Sequence, residues 1–284
     1  MKYVFIGNRI FVLQTMMKLQ LDIAAILVVK DSFAEKYAKR NELNYEVLES
    51  KETTEKRLLG MQYDCLVSNG CPYVLDISKL KKSGQQYINI HPSLLPDLRG
   101  QHPINGAILY DRMHGVTCHF MVDKVDAGAI IARKEIAITE DVDIDLLYQI
   151  SFWAEGQVFL EAYEKNFGIQ HINTEDHNQY IYYSRKSEDM VLNKQDSIDV
   201  VLRKIKAFGT DSQYARFLYA GKEYRVVEAR IITNMVAIEM CREHENNVIV
   251  RIFGYKILVK YQEMVLELIL KETEGLVEGK IFLT

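Results

Sequence analysis

Short apolar runs alternate with stretches of helical spacing along the first half of the chain. Tyr3-Val4-Phe5-Ile6-Gly7 is apolar and closes in glycine, Phe11 to Leu19 has helical spacing, and Ile23 to Val29 is a second apolar run. A strand, a helix and a strand in succession predict the β-α-β opening of a parallel sheet. The pattern continues with a helix over Phe33 to Glu42, a short strand over Tyr45 to Leu48, and core strands over Tyr63 to Ser68 and Gln86 to His91. Pro103 to Tyr110 reads as a helix, Thr117 to Asp123 and Ile130 to Ile136 as strands, and Asp145 to Glu164 as a long amphipathic helix. Trp153 on that helix is expected in the core, because buried aromatics commonly anchor packing.

The pattern changes near residue 180. Asp176-His177-Asn178-Gln179 reads as a polar linker, Ser197 to Phe208 as a helix, and Phe217 to Tyr224 as a hairpin with Gly221 in its turn. Further strands are expected around Val248 to Val250, Lys256 to Val259 and Val265 to Leu268. An α/β domain over 1–180, a linker with a connecting helix over 181–204 and a small β-rich domain over 205–284 follow from this reading. No internal repeat is visible.

Composition narrows the function classes. The chain has 284 residues, 48% hydrophobic and 26% charged, which is ordinary for a globular protein with two domains. A formal charge of −4 speaks against a dedicated nucleic-acid binder, which would carry a basic excess or stripe. Cys65, Cys71, Cys118 and Cys241 form no C-x-x-C pair, and no apolar leader precedes the first strand, so a reducing cytoplasm is expected. No apolar run approaches the ~20 residues that span a bilayer. The His and Cys residues lack closely spaced ligand pairs, so no metal is expected.

The candidate chemistry lies at the end of the Gln86 to His91 strand. Asn89 and His91 are two residues apart and project to the same side, and Pro92 stops the strand. Strand carboxyl ends are where open α/β sheets bind ligands. Asp126 follows a later strand, and the set supplies a hydrogen-bond donor, a proton acceptor and a carboxylate, the parts of acyl transfer to an amine. Gly7-Asn8-Arg9 is a single-glycine turn without the G-x-G-x-x-G fingerprint, so a nicotinamide cofactor is disfavoured. It reads either as a tight turn with an exposed Arg or as an anion contact at a helix start. Cys71 has no neighbour that would activate it as a nucleophile. His102 can border a substrate cleft, whereas His114, His171, His177 and His244 read as surface or loop residues.

The run Asn89-Ile90-His91-Pro92-Ser93-Leu94-Leu95-Pro96 with Arg99-Gly100, then Thr117-x-His119, then Asp126-x-Gly128, resembles the signature of the 10-formyltetrahydrofolate-dependent formyltransferases. The resemblance implies a Rossmann-like catalytic domain with a mostly parallel sheet and a smaller, mainly β C-terminal domain. It implies N10-formyltetrahydrofolate as the donor, with Asn89, His91 and Asp126 catalytic. Which of His91 and Asp126 moves the decisive proton stays open, as does whether His119 is structural or supports the site. Gly70, Cys71, Tyr73, Val74, Asp123 and Gly128 are implied in the folate pocket, and Asn8, Arg9, Arg99 and His102 on the acceptor side.

The acceptor is expected to be a small molecule. Methionyl-tRNA members typically carry a basic insertion after the second strand, whereas Val29 to Glu35 passes directly to a helix of mixed charge. The stretch Ala127-Gly128-Ala129-Ile130 resembles enzymes that N-formylate nucleotide-linked amino sugars for surface glycans. A dTDP-, UDP- or GDP-linked amino-dideoxy sugar is therefore expected, with no nucleic-acid or membrane partner and a homodimer as an allowed assembly. The alternatives are methionyl-tRNA formylation and a folate-binding formyl hydrolase, which usually carries an N-terminal regulatory domain. Formylation of glycinamide ribonucleotide ranks below these, since those enzymes are usually shorter.

Overall fold

The computed structural model describes residues 1–170 and 180–283. The expected linker 176–179, with His171 and His177, lies outside the described residues. Contacts divide the chain into two compact units. The first comprises 1–103, 113–138 and 148–183, and the second 104–112, 139–147 and 184–284.

The first unit holds β1 (Lys2–Gly7), α1 (Phe11–Lys18), β2 (Asp22–Val28), α2 (Phe33–Arg40), β3 (Glu46–Val47), α3 (Lys51–Leu59) and β4 (Cys65–Asn69). It continues through α4 (Ile77–Leu80), β5 (Gln86–His91), β6 (His114–Phe120) and β7 (Ile130–Ile136). Between β5 and β6 runs α5 (Pro103–Leu109), and after β7 runs α6 (Ile144–Glu164), whose first residues group with the second unit. One seven-stranded sheet has the order β3-β2-β1-β4-β5-β6-β7. The first five strands run parallel, and β6 and β7 are antiparallel to their neighbours. Strand order reverses between β1 and β4, so the crevice outside their carboxyl ends is the expected ligand position. Gly7 and Asn69 are paired there. A Cβ on Gly7 would lie 1.9 Å from the Asn69 carbonyl oxygen, so no larger residue fits.

Local chemistry explains the helix starts. Ser32 accepts from the Glu35 N–H at the head of α2, and Ser50 and Thr53 form a reciprocal capping box on α3. The core behind the sheet includes Val4, Ile6, Leu27, Leu66, Leu75 and Tyr87. Tyr87 is buried with its hydroxyl bonded to that of Tyr63, which satisfies both polar tips.

The second unit contains α7 (Ile198–Phe208), β8 (Ala215–Tyr219), β9 (Lys222–Ile231), α8 (Met235–Cys241), β10 (Val248–Phe253), β11 (Lys256–Tyr261) and β12 (Met264–Leu270). Its five strands form an antiparallel sheet in the order β10-β11-β12-β9-β8. Val201 and Ile205 of α7 join Phe217, Tyr224, Leu268 and Phe282 in its core. Residues 104–112 belong here because Asn105, fully buried, donates to the Ala207 carbonyl at 2.6 Å and to Gln213 Oε1 at 2.8 Å.

Three sequence expectations are overturned. Trp153 is 49% exposed, with the Lys134 ammonium 5.5 Å above its ring. Ser151, Ala154, Glu155, Val158 and Phe159 take the buried face of α6, and the 3.6-residue period turns Trp153 outward with Gln149 and Gln157. His114 is buried at the start of β6, its Nε2 2.7 Å from Ser151 Oγ. Burial pushes its proton affinity down to about 4. The strand expected over Thr117 to Asp123 instead runs His114–Phe120. Gly115 holds the early part of the ladder, since a Cβ there would meet the Lys134 carbonyl at 2.3 Å. No helix among the described residues is long and apolar enough to cross a membrane.

Candidate active site

The register of β5 against β6 builds the site. Asn89 lies opposite His119 and His91 opposite Thr117, so Asn-x-His and Thr-x-His face each other residue for residue. Thr117 supports the turn after β5: its hydroxyl donates to the Ser93 carbonyl at 2.7 Å and accepts from the Leu95 N–H at 3.1 Å. Asp126 arrives from the loop between β6 and β7 with φ +49, a conformation that aspartate tolerates better than most residues. Its carboxylate reaches both histidines, with Oδ2 3.6 Å from His91 Nδ1 and Oδ1 3.5 Å from His119 Nε2. Gly100 N–H donates to Oδ2 at 3.0 Å, and Asn89 Nδ2 lies 3.4 Å from Oδ1.

Hydrogen bonding fixes the state of both rings. His91 Nε2 faces the Leu98 carbonyl at 3.0 Å, and a carbonyl only accepts, so Nε2 carries the hydrogen. A further proton therefore lands on Nδ1, toward Asp126. His119 Nδ1 faces the Phe120 carbonyl at 2.8 Å, which leaves Nε2 to accept from Asn89 Nδ2 at 3.3 Å. Burial holds His91 below the ordinary imidazole value, against the pull of Asp126 and the Leu98 carbonyl. Burial alone would raise the Asp126 carboxyl, but His91, His119 and Gly100 N–H together hold it well below the usual carboxylate range. The resting site at neutral pH is thus a neutral imidazole beside a carboxylate, poised for the imidazole to take a proton and be stabilised once charged.

The residues expected to line the donor pocket lie on two segments that one hydrogen bond links. Cys71 and Tyr73 are half-buried against the apolar core, while Val74 is 57% exposed. Burial pushes the Cys71 thiol up to about 11, which suits a packing residue rather than a nucleophile. Asp123 Oδ1 accepts from the Ser78 N–H at 2.9 Å and ties the 121–128 loop to the segment after Gly70. Gly70 adopts φ +76. At Gly128 a Cβ would lie 1.8 Å from the Phe120 carbonyl, so only glycine lets the Asp126 loop close on β6.

Arg99 exchanges backbone contact with Tyr182, and Tyr183 N–H donates to its carbonyl at 2.8 Å. His102, at φ +62, follows in the same segment. Asn8 packs against Gly70 beside the turn after β1. Arg9 is not the free surface cation that one sequence reading allowed: Nη1 donates to the buried Glu155, and Phe152 lies under the guanidinium at 4.5 Å. Sequence reasoning missed Glu155 and Phe152, which sit on a helix 146 and 143 positions away and carry no motif. Among the described residues no group of three or more His, Cys, Asp or Glu could hold a metal ion.

Comparison with known proteins agrees with these motifs. A family model described as Formyl transferase matches residues 19–163, just over half of the 284. The methionyl-tRNA formyltransferase of Pseudothermotoga lettingae is 32% identical over 168 residues, 58% of this chain and 53% of that protein. The chain spans about half the length of the curated relatives it matches. A sugar 3N-formyl transferase solved in the presence of dTDP and 5-N-formyl-THF superposes with a TM-score of 0.72 at 17% identity, covering 96% of this chain and 98% of that one. An N-formyltransferase from Helicobacter canadensis, solved in complex with folinic acid and dTDP-3-aminofucose, gives 0.70 at 16% identity over 95% and 99% of the two chains. These identities speak to the fold alone. With the family model spanning β2 through most of α6, and Asn89, His91 and Asp126 gathered within it, this chain belongs to the formyl transferase family.

Proposed function

We propose that the protein is an N-formyltransferase that moves the formyl group of N10-formyltetrahydrofolate to the amine of a nucleotide-linked amino sugar. The observation that carries the reading is the convergence of Asn89, His91 and Asp126 at the carboxyl end of β5, with His91 neutral and Asp126 ionised. The segments from Gly70 to Leu75 and from Met121 to Gly128 suit a folate, being partly apolar and joined through Asp123. The donor, when bound, supplies an activated formyl carbon.

The chain's own residues then do the following. His91 takes the proton that the attacking amine sheds, at Nδ1, where Asp126 stabilises the resulting charge, and returns it to the donor nitrogen as the bond from that nitrogen to the formyl carbon breaks. General-base help of this kind typically contributes ~10²–10⁴. Asn89 donates to the negative charge that develops on the formyl oxygen. Its present contacts, at 3.3 and 3.4 Å, are long and readily exchanged for that stronger one. Gly100 N–H holds Asp126 in place.

A nucleotide-sugar acceptor is supported by near end-to-end superposition on two sugar N-formyltransferases and by the missing basic insertion after β2. One observation favours methionyl-tRNA instead, namely that the sequence relatives are methionyl-tRNA formyltransferases over the catalytic half. Mass spectrometry of dTDP-, UDP- and GDP-linked 3-amino and 4-amino sugars after incubation with the donor tests this directly, with charged initiator tRNA alongside. A tRNA enzyme would lose affinity by roughly 0.7 to 0.9 log units per log unit of salt for each phosphate neutralised, whereas a diphosphate sugar gives a shallow dependence. Steeply salt-sensitive formylation of tRNA with no sugar product would overturn the sugar assignment. Formate release without any acceptor would favour a hydrolase.

A further inference from the structure

Glu155 is a fully buried acid that the reaction above does not use. From α6 it accepts from Arg9 Nη1 in a close ion pair, and Phe152, three residues earlier, lies under the same guanidinium at 4.5 Å. Residues three apart share a helix face, so one helix grips Arg9 from two sides. Arg9 leaves the sheet two residues after Gly7, at the switch point of strand order where this architecture binds ligands. Its side chain is 20% exposed while that of Glu155 is 0% exposed, so the pair's accessible part is the cation alone. Stability is a poor reason for such a pair, because apolar side chains of similar volume often serve as well or better.

We propose that Glu155 is a positioning residue for the acceptor, which acts through Arg9 by holding the guanidinium ready for a phosphate-bearing substrate at the carboxyl end of β1. The assignment rests on the formyl-transfer reading for its substrate, but the grip itself does not. A free arginine must be ordered when an anion binds, and a held one has already lost that freedom. The polar groups that act on the Glu155 carboxyl are Arg9 from the turn after β1 and the Asn69 amide at the end of β4. A neutral amide oxygen at position 155 can accept from Nη1 as the carboxylate does, so glutamine preserves the grip and an apolar side chain of like size abolishes it.

The test compares wild type, Glu155→Gln and Glu155→Met, with donor and acceptor KM measured separately using the acceptor that the panel identifies. In the Met variant the acceptor KM rises roughly tenfold, the scale of ordering one rotamer-rich side chain, while kcat and the donor KM stay within about threefold. The Gln variant keeps the acceptor KM near wild type. Without substrate, the ¹⁵N-resolved guanidinium Nε–H signal of Arg9, assigned with Arg9→Lys, is sharp in wild type and Gln and broadened away in Met. An unchanged signal in Met overturns the assignment, and so does a lost signal with an unchanged acceptor KM. Should the Met variant not fold, Phe152→Leu removes the other half of the grip and carries the same measurements. If wild type formylates nothing, the formyl-transfer reading fails by itself, and the Arg9 signal still decides whether Glu155 positions that side chain.

Discussion

Asn89 stands directly opposite His119 across the β5–β6 ladder, with Asn89 Nδ2 3.3 Å from His119 Nε2. Since His119 Nδ1 is committed to the Phe120 carbonyl, this nitrogen is the fixed acceptor that aims the amide, and it also abuts Asp126 at 3.5 Å. His119→Leu is therefore expected to lower kcat by roughly ten- to a hundredfold, less than loss of the proton carrier itself, with donor affinity little changed. Steady-state kinetics beside a donor titration check this. Unaltered kcat in a folded variant would make His119 a packing residue only.

His91→Asn and Asp126→Asn are each expected to lower turnover by at least about a hundredfold. Asparagine is the informative choice at 126, because it tolerates the φ of +49 found there and removes charge without moving the backbone. The double variant should lose little more than either single one, since the two groups handle one proton as a unit. Near wild-type rates in both single variants would mean that the chemistry lies elsewhere.

The sequence made the candidate cluster of Asn89, His91 and Asp126 legible because its parts are local: two strands in register and one tight loop bring together residues separated by only tens of positions. The strands after residue 248 were readable from short apolar stretches such as Val248–Val250 and Ile257–Val259. Packing between distant segments was not readable. His114 looked like a loop residue because its partner, Ser151, lies 37 positions away on α6. Trp153 looked like core because its type suggests burial, yet the phase of α6 is set by the residues flanking it. Residues 104–112 belong with the second unit through Asn105, an asparagine with no pattern around it that announces a contact 102 positions away.

The buried His114 predicts acid sensitivity. Its ordinary value of 6.5 is pushed down to about 4 by burial, so as pH falls between these values the unfolded chain takes up a proton that the native chain refuses. The His114 contribution to stability then falls with pH, by roughly 3 kcal/mol at ~1.4 kcal/mol per pH unit. His114→Gln, which can still bond Ser151, should remove this loss. Chemical denaturation of both proteins from pH 7 to pH 4 measures it, and parallel curves would show that His114 does not titrate as its burial demands.

Glu155 predicts the opposite slope in nearly the same window. Burial pushes its carboxyl from 4.5 up to about 7, against the pull of Arg9 and Asn69. Between those values the native chain keeps a proton that the unfolded chain has lost, so this group's contribution falls as pH rises. From pH 4.5 to 6.5 it opposes the His114 effect, so wild type should be flatter there than either single variant. Each single variant should therefore unmask the other: His114→Gln becomes more stable toward pH 4.5, and Glu155→Gln becomes more stable toward pH 6.5. The double variant should restore a shallow profile, provided the two sites do not couple through Ser151 and Glu155 on neighbouring turns of α6. If Glu155→Gln tracks wild type across this window, the carboxyl is ionised throughout and the Arg9 pair is strong enough to cancel its burial.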